Sequence, residues 1–429
     1  MTPALRIAFL LPSFPELSNT FIMNQITGLL DRGHDLSLFA IARKSFDGAS
    51  ADVTRHALSE RMLHLPIPVG HVARLRSALA LMASPEGRQR AALDALNPWR
   101  HGRRGLNLVH YHTVVSFLRA PRFDVLHCQF GDHGPAAERL LRLARIDAAL
   151  ITSFRGADLT QGLERDPRRF AHLLRNGDLF TPVSDDFRRR LIAAGAPADR
   201  VVTHRSGLDL ERFAFAHRPP PDGPPRLLFA GRLTEKKGVS YLLEALAIVL
   251  ATGREAELSI VGSGRLEPDL RAHCQALGLA HRVHFAGPLP HAAVIRAMER
   301  AHVVVAPSVT AADGDQEGIP NVLKEAMALG IPVVATRHSG IPELVEDGLS
   351  GFLAAERDAE DLGRCLATVL DNPGRWAEWG RAGRRRVESD YDAQRLNDEL
   401  VMLYRRAIAR RANAFADNHV SSTGTKAPK

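Results

Sequence analysis

Short apolar runs alternate along the whole chain with longer stretches in which apolar residues repeat at helical spacing. Runs such as RIAFLL at 6–11 and RLLFA at 226–230 are typical of strands buried on both faces of a parallel sheet. Further strands are predicted at 35–41, 124–128, 148–154, 178–184, 200–204, 258–262, 283–287, 303–308 and 332–336. Because helical stretches separate these runs, the pattern predicts an α/β fold with parallel sheets and helical crossovers.

Length and composition divide the chain into two predicted domains. Its 429 residues exceed what one ordinary hydrophobic core accommodates. The Pro-rich sequence HRPPPDGPP at 217–225 has the composition of a stiff linker. We therefore predict an N-terminal domain in residues 1–217 and a C-terminal domain in residues 218–392. A last long helical pattern at 393–412 precedes a polar stretch, 413–429, which lacks periodicity and is predicted to be disordered.

Candidate chemistry is densest between residues 313 and 336, where the pattern predicts a loop, a helix and a strand. Glu317 precedes the predicted helix and Glu325 lies within it. The free N–H groups and the positive dipole end of a helix N-terminus can hold an anion or a ring of hydroxyls, and carboxylates accept hydrogen bonds from hydroxyls. The two glutamates alone are equally well explained as a capping acid and a solvated helix charge.

A second group of candidates follows the strand at 226–230. Gly231, Arg232, Lys237 and Gly238 lie in the turn between this strand and the next predicted helix. Ligands of doubly wound sheets bind where strand ends meet helix N-termini, and glycine allows the backbone to approach a ligand closely. Two cations in a loop are usually surface charges, but at this place in a sheet they are positioned to bind a diphosphate.

The sequence EGIPNVLKEAMALGIPVVAT, followed by SGIPELVEDGLSGFL, resembles the Glu-x7-Glu signature of the retaining glycosyltransferases of family 4. It is especially similar to bacterial exopolysaccharide enzymes of the colanic acid and amylovoran type. The resemblance covers about residue 6 to about residue 406 and is more specific in the C-terminal half. It implies the GT-B fold, in which two Rossmann-like, doubly wound parallel-sheet domains face a central cleft. It also implies a C-terminal helix that packs back on the first domain.

The resemblance further implies the reaction and the roles of donor-side residues. A sugar would pass, with retention at the anomeric carbon, from a nucleotide sugar to a lipid-linked or growing saccharide; UDP is the expected nucleotide and GDP the next. Arg232 and Lys237 would stabilise the departing diphosphate, while Glu317 would contact the donor sugar and Glu325 the ribose. Further donor-side candidates are Gly231, Gly318, Ile319, Asn321 and Leu289, the last in the loop by which the family contacts the nucleobase.

Two loops of the N-terminal half supply acceptor-side candidates. The loop at 12–21 follows the first strand, and its Ser18, Asn19 and Thr20 are predicted to contact the acceptor or a phosphate. His133 lies in a later strand-to-helix loop and is predicted to touch the substrate. Both have a simpler explanation, because an asparagine before a helix commonly only caps it and a lone loop histidine is commonly only solvated.

The family has His-Gly-x-Asp where this chain has Arg155-Gly156-Ala157-Asp158. Because an arginine stays charged and cannot act as a neutral base, the role of the histidine does not transfer. Arg155 is instead predicted to hold a phosphate or a sugar hydroxyl, and Asp158 to orient the loop. This departure is the one feature that favours an alternative, a catalytically inactive nucleotide-sugar-binding scaffold of a polysaccharide assembly. A GT-B sugar-nucleotide epimerase is a further alternative.

The net charge of +8 lies wholly in the first half of the chain. Residues 1–215 hold 29 Lys and Arg against 21 Asp and Glu, whereas the remainder holds 27 of each kind. A basic amphipathic pattern at 72–82 is followed by further arginines up to residue 104. Such a segment can bind an anionic membrane surface, or it can form solvated helices that cover the sheet. A lipid-binding half argues against the epimerase, and nucleic acid is not a predicted partner because no recognition motif accompanies the charge.

Cysteine content and hydropathy indicate the compartment. Cys128, Cys274 and Cys365 fit neither a metal site nor a disulfide framework, and no apolar run approaches the ~20 residues that span a bilayer. We expect a cytoplasmic protein, peripheral on the inner face of the cytoplasmic membrane. The sequence from Asp313 to Asp315 resembles the D-x-D motif that binds a metal in other glycosyltransferases. Because GT-B enzymes use cationic side chains and helix dipoles instead, neither a bound metal nor a bound cofactor is expected.

Overall fold

The structure is a computed structural model that describes residues 3–15, 20–44, 51–64, 67–68, 70–97, 99, 107–217 and 219–423. Two predicted acceptor-side residues, Ser18 and Asn19, lie outside the described residues, as do Arg100, Arg103 and Arg104 of the predicted basic segment. Within the described ranges, none of the helices combines the length and the apolar character needed to cross a membrane.

The first sheet is built from residues 6–182 and has six parallel strands. They are β1 (Arg6–Phe14), β2 (Asp35–Arg43), β3 (Met62–His64), β4 (Val125–Cys128), β5 (Ala149–Phe154) and β6 (Leu179–Pro182), in the order β3-β2-β1-β4-β5-β6. Its helices are α1 (Thr20–Asp31), α2 (Ala51–Arg55), α3 (His71–Met82), α4 (Arg90–Asp94), α5 (Val109–Arg119), α6 (Gly134–Ala144), α7 (Ala157–Arg165), α8 (Ala171–Asn176) and α9 (Asp185–Ala193).

The second sheet, from residues 226–354, has the same architecture. Its strands are β7 (Arg226–Ala230), β8 (Glu257–Val261), β9 (Val283–Gly287), β10 (Val303–Ala306), β11 (Val333–Thr336) and β12 (Phe352–Ala354), in the order β12-β11-β10-β7-β8-β9. The helices that follow β7 are α10 (Val239–Ala251), α11 (Glu267–Ala276), α12 (His291–Arg300), α13 (Asn321–Ala328), α14 (Ile341–Leu344), α15 (Ala359–Asp371), α16 (Trp376–Tyr391) and α17 (Ala393–Thr423).

Each sheet reverses its strand order beside its first strand. β1 lies between β2 and β4, and β7 lies between β8 and β10. In such sheets ligands bind in the crevice outside the carboxyl ends of the strands at this switch point. The predicted fold class, two doubly wound parallel sheets, is confirmed.

Burial on both faces explains why the strands are nearly continuous apolar runs. Along β1, Ala8 and Leu10 pack into the cluster that contains α5 and α6, whereas Ile7, Phe9 and Leu11 pack into the cluster that contains α1 and α17. Successive side chains of a strand point to opposite faces, so a run of apolar residues is needed to fill both. The last helix of the chain thus covers one face of the first sheet.

The chain passes between the two sheets twice, and the two crossings lie side by side. The N–H of Leu208 donates to Tyr391 O at 2.7 Å, and the N–H of Ala393 donates to Leu208 O at 3.0 Å. Beyond the second crossing, α17 is fastened to the first sheet by Tyr404, whose hydroxyl oxygen is 2.8 Å from His127 Nδ1. The two sheets are therefore connected along one side by the two chain crossings and by α17. Loops of the two sheets meet beyond these connections.

The observed elements differ from the predicted ones in three places. The strand predicted at 200–204 is only a single bridge between Phe180 and Val201. The three-residue strands β3 and β12 were not predicted, because runs so short carry no periodicity. The helix predicted to end at residue 412, before a disordered tail at 413–429, continues to Thr423. Residues 413–423 contain neither Gly nor Pro, which are the residues that interrupt helices, and residues 424–429 lie outside the described part of the chain.

The packing of α17 gives a test of this architecture. Tyr404 is completely buried, so Tyr404→Ala is expected to lower the free energy of unfolding by about 3–5 kcal/mol through the cavity it leaves. Tyr404→Phe removes only the hydroxyl and is expected to cost about 1 kcal/mol. Thermal denaturation of both variants measures the difference. An equal, small effect of the two would show that α17 does not pack on the first sheet.

Candidate active site

Glu317 lies in the loop between β10 and α13 and is held by two lysines from the turn after β7. Its Oε1 is 3.1 Å from Lys237 Nζ and 3.2 Å from Lys236 Nζ. Lys236 Nζ also pairs with Asp315 Oδ1 at 2.9 Å. The two loops meet because β7 and β10 are neighbouring parallel strands whose carboxyl ends share one edge of the sheet.

The charges of this cluster determine its protonation. Burial alone would raise the pKa of Glu317, but the charges of Lys237 and Lys236 and their hydrogen bonds outweigh burial and lower it to about 2. Burial opposes the charge of Lys236, yet Glu317 and Asp315 raise its pKa above the ordinary value. Glu317 and Lys236 are therefore both ionised at neutral pH. Arg232, exposed and without an ion pair among the described residues, adds a positive charge that no carboxylate compensates.

A buried histidine fixes the backbone of Glu317. The N–H of Glu317 donates to His338 Nε2 at 3.1 Å. Because Nε2 accepts, the ring proton is on Nδ1, which donates to Glu356 Oε1 at 2.8 Å. Glu356 Oε2 in turn accepts the N–H of Thr310 at 2.8 Å. This chain of hydrogen bonds orients the loop that carries Glu317.

The D-x-D sequence is occupied by protein contacts. Asp315 pairs with Lys236, and Asp313 Oδ2 accepts a hydrogen bond from Gln161 Nε2 of α7 at 2.7 Å. Across the described ranges, no three His, Cys, Asp or Glu side chains come close enough together to hold a metal ion. The two aspartates thus connect this loop to a lysine and to the first unit, the sheet β1–β6 with its helices; the sheet β7–β12 with its helices is the second unit.

Two glycines allow the close approaches that build the site. Gly238 has a φ of +64°, and a Cβ there would lie 1.9 Å from Pro307 O. A Cβ at Gly318 would lie 2.7 Å from Arg155 O and 2.8 Å from Val183 Cγ2. No side chain fits at either place. Gly318 therefore brings the segment before α13 into contact with the Arg155 loop of the first unit.

Glu325 lies within α13 and is nearly buried. Its Oε1 accepts a hydrogen bond from His291 Nε2, at the start of α12, at 3.1 Å. This hydrogen bond raises the pKa of His291 against the effect of burial. Leu289 is exposed in the loop just before α12. The predicted ribose residue and the predicted nucleobase loop are thereby next to each other.

Arg155 is bound by protein atoms on all three guanidinium nitrogens. Nε donates to Gln129 O at 3.0 Å, Nη2 to Gln129 Oε1 at 2.7 Å and Nη1 to Ser206 Oγ at 2.8 Å. The guanidinium also lies 4.4 Å from the ring centroid of Phe21. Burial lowers its pKa to about 10, so it remains charged at neutral pH. Its contact with a donor stays a prediction, whereas its contact with Ser206 links the loop to the first chain crossing.

Asp158 connects the Arg155 loop to the turn that ends at His133. Its Oδ2 accepts the N–H of Gly131 at 2.7 Å, and its Oδ1 accepts the N–H groups of Gly156 at 2.7 Å and Arg155 at 3.0 Å. These contacts satisfy a buried carboxylate, although burial still raises its pKa. His133 is only partly exposed, and burial lowers its pKa.

The other predicted residues lie near these groups. Thr20 begins α1 and precedes Phe21, the residue that lies under Arg155. Asn321 begins α13, and Ile319 packs on the core of the second sheet. Gly231 lies beside Lys237, because a Cβ there would be 3.5 Å from Lys237 Cε.

The sequence analysis missed four contributors to the site: Lys236, His291, His338 and Glu356. Lys236 directly precedes a predicted site residue, and only the structure distinguishes which of the two lysines pairs with Asp315. His291, His338 and Glu356 follow the carboxyl ends of β9, β11 and β12. The rule that strand ends carry functional side chains would have selected the two histidines. It could not have selected Glu356, because β12 was not predicted.

The fold is that of the GT-B glycosyltransferases. It is similar to the structure of HepE from Anabaena in complex with UDP, with a TM-score of 0.67 and 18% identity over 93% of this chain and 99% of that chain. It is also similar to the lipopolysaccharide outer core galactosyltransferase WaaB, with a TM-score of 0.63 and 19% identity over 94% of this chain and 99% of that chain. At such identities the likeness establishes the fold alone.

The chain belongs to the group 1 glycosyltransferases of family 4. Residues 18–207 match the glycosyl transferase 4-like domain, and residues 211–386 match glycosyl transferases group 1. WcaL of Escherichia coli (strain K12), named as a colanic acid biosynthesis glycosyltransferase, is 35% identical over 404 residues, which are 93% of this chain and 99% of that protein. The amylovoran biosynthesis glycosyltransferase AmsK of Erwinia amylovora is 32% identical over 393 residues, 90% of this chain and 96% of that protein. The predicted family and enzyme class are confirmed, and enzymes of this family use nucleotide-sugar donors.

The lowered pKa of Glu317 gives a pH-dependent test. A carboxyl whose pKa falls from 4.5 to about 2 on folding contributes stability above pH 4.5 that is lost as the pH falls towards 2. Glu317→Gln is therefore expected to lower stability at pH 7, on the order of 3 kcal/mol, and to flatten the acid limb of the stability profile. Denaturation midpoints between pH 2 and pH 7 measure both effects.

The matched control is Glu360→Gln, at an exposed position in the first turn of α15. The loss of stability of this variant at low pH is expected to follow that of the wild type. If Glu317→Gln lost stability at low pH as steeply as the wild type, Glu317 would not carry this charge coupling.

Proposed function

We propose that the protein transfers a sugar from a nucleotide sugar, with retention at the anomeric carbon, to a lipid-linked or growing saccharide in the biosynthesis of a cell-surface polysaccharide. The observation that carries the proposal is the ionised Glu317 between Lys236 and Lys237, immediately before α13 and against the Arg155 loop of the other unit. UDP is the proposed nucleotide, with GDP as the alternative.

The proposed mechanism uses the charges of this chain alone. The bond between the anomeric carbon and the diphosphate oxygen breaks, and the acceptor oxygen forms its bond on the same face of the sugar. The acceptor proton passes to the departing phosphate. Lys237 and Arg232 stabilise the charge that builds on the diphosphate, as preorganised cations do in a site that excludes water. Glu317 binds the sugar hydroxyls, and Glu325 binds the ribose with the oxygen that His291 leaves free.

The reaction is proposed to be independent of a bound metal. Support comes from the carboxylates of Asp313 and Asp315, which already serve Gln161 and Lys236. The cationic side chains of the turn after β7 supply the positive charge that a metal would otherwise bring to the diphosphate.

Nucleotide binding tests the proposal most directly. UDP is expected to raise the thermal denaturation midpoint of the wild type, because a ligand at about 100 times its Kd adds about 2.7 kcal/mol to the folded state. The shift is expected to survive EDTA and to be lost in Glu325→Ala. GDP and ADP measure the choice of base.

The matched control is Glu360→Ala, which removes an exposed carboxylate of the second unit outside the proposed site and should keep the full shift. If none of the three nucleotides moved the midpoint of the wild type, the transferase proposal would be wrong. Consumption of the nucleotide sugar distinguishes an active enzyme from the alternative, a catalytically inactive scaffold.

We further propose that the protein acts at the inner face of the cytoplasmic membrane, with α3 on an anionic lipid surface. Val72, Leu75 and Leu79 lie on one face of this helix, at spacings of three and four residues, and are 68%, 54% and 60% exposed. Arg76 and Arg90 are exposed on the same segment. Apolar side chains flanked by arginines are what an interfacial helix presents to lipid.

Binding to vesicles tests the membrane proposal. The triple variant Val72→Ser, Leu75→Ser and Leu79→Ser is expected to lose most of its sedimentation with phosphatidylglycerol vesicles, because the apolar area that enters the interface is gone. Raising the salt concentration should weaken the wild type, since each basic residue near the surface adds about 1 kcal/mol. Met402→Ser, at an exposed position of α17, is the control. Undiminished sedimentation of the triple variant would contradict the proposal.

A further inference from the structure

Ser206, on the first crossing between the two units, is bound by one cation from each unit. Arg155 Nη1 of the first unit donates to its hydroxyl at 2.8 Å. Lys324 Nζ, from α13 of the second unit, donates to its carbonyl oxygen at 2.8 Å. A lysine of the helix that carries Glu325 is thus attached to the connection between the units.

The same lysine also lies near the second crossing. Its Nζ is 5.5 Å from the ring centroid of Tyr391, a distance at which a cation is attracted to an aromatic face. The carbonyl oxygen of Tyr391 accepts the N–H of Leu208, the bond that holds the two crossings together. Lys324 therefore lies against both segments that connect the two units.

Burial of the Lys324 amine, taken by itself, is unfavourable for folding. Lys324 is 1% exposed, and burial lowers its pKa to about 7, with the charge of Glu325 opposing the decrease and that of Arg155 adding to it. An apolar residue of similar length would pack α13 without the desolvation of an ammonium group. The interaction that opposes this cost is the hydrogen bond from Lys324 to Ser206.

We propose that Lys324 is a positioning residue that couples the donor-binding end of α13 to the closure of the two units through Ser206. The inference rests on the proposed function, in which Glu325 binds the donor. Neighbouring residues of a helix point in directions about 100° apart, so Glu325 contacts His291 while Lys324 contacts the crossing. A shift of α13 on donor binding is thereby passed to Ser206.

From Ser206 the contact continues into the first unit. Arg155 joins Ser206 to Gln129, which lies two residues before the turn Gly131–His133. The donor side and the acceptor side are therefore linked by three hydrogen-bonded groups, Lys324, Ser206 and Arg155. This gives the arginine that stands where the family has histidine a positioning role instead of a role as a base.

A separate contact holds the units together at another place. Glu343 of α14 accepts the N–H groups of Asp185 and Asp186, at the first turn of α9, at 2.9 Å each. Within the described part of the chain, the hydrogen bonds of this carboxylate involve neither α13 nor Ser206. It stabilises the N-terminus of α9 in the way a capping acid does. It offers a variant that weakens closure without involving the donor helix.

The test compares nucleotide affinity with nucleotide-induced closure. UDP affinity is measured by calorimetry, and closure by the radius of gyration from small-angle scattering with and without saturating UDP. The wild type is expected to become more compact. Lys324→Met is expected to bind UDP within about threefold of the wild type, a difference of ~0.65 kcal/mol, yet to lose at least half of the change in radius.

Three variants control this result. Met327→Leu is a conservative change of a buried apolar residue of the same helix and should keep both affinity and closure. Lys324→Gln retains a polar group too short to reach Ser206 O and should behave as Lys324→Met, which covers the case in which the methionine variant does not fold. Glu343→Gln should make the protein less compact both with and without UDP.

The possible failures are distinct. A full change in radius in both Lys324 variants, or UDP binding to the wild type without compaction, would overturn the coupling and leave the proposed function intact. Loss of UDP affinity in both Lys324 variants as severe as in Glu325→Ala would make Lys324 a donor ligand and overturn its positioning role. Absence of both UDP and GDP binding to the wild type would overturn the proposed function and the coupling with it.

Discussion

The architecture of the site depends on one electrostatic constraint: a nearly buried carboxylate, Glu317, must be held next to two ammonium groups. In a medium of low dielectric such a cluster is stable only when its charges are paired and its remaining polar atoms are bonded. The backbone of the Glu317 loop meets this condition through His338 and Glu356. Gly238 lets the turn that carries the lysines approach closely enough. The same preorganised charges are what a departing diphosphate requires.

A second constraint is the way in which the two units are joined. The crossings pair through Leu208, and α17 returns from the second sheet to cover the first. The two sheets are thereby joined by two adjacent segments and by the packing of one helix. Arg155 and Lys324 both contact Ser206 on the first of these segments. Burial of two cations beside a connecting segment is costly, which favours a role in orientation over one in stability alone.

Elements with long or repeated patterns were predictable, and those held by isolated contacts were not. β7 and β9 have the predicted bounds, because an apolar run between polar turns is sufficient to define a buried strand. The segment at 200–204 contains only two apolar residues, Val201 and Val202, and makes a single bridge to β6. Glu317, Lys237 and Glu325 were selected as candidates because a motif marks them. His338 carries no motif, and its importance comes from two hydrogen bonds to residues 18 and 21 positions away.

The sequence alone determined the class of fold and the enzyme family and supplied two motifs of candidate site residues, because these depend on local periodicity and on short spacings. The tertiary structure decided which charges meet. Lys236 rather than Lys237 pairs with Asp315. One carboxylate oxygen of Glu325 accepts a hydrogen bond from His291, and Arg155 donates a hydrogen bond to Ser206. The physical reason is that electrostatic and hydrogen-bond energies depend on distance and burial. Neither quantity exists for residues far apart in the chain until the two sheets have formed and their loops have come together.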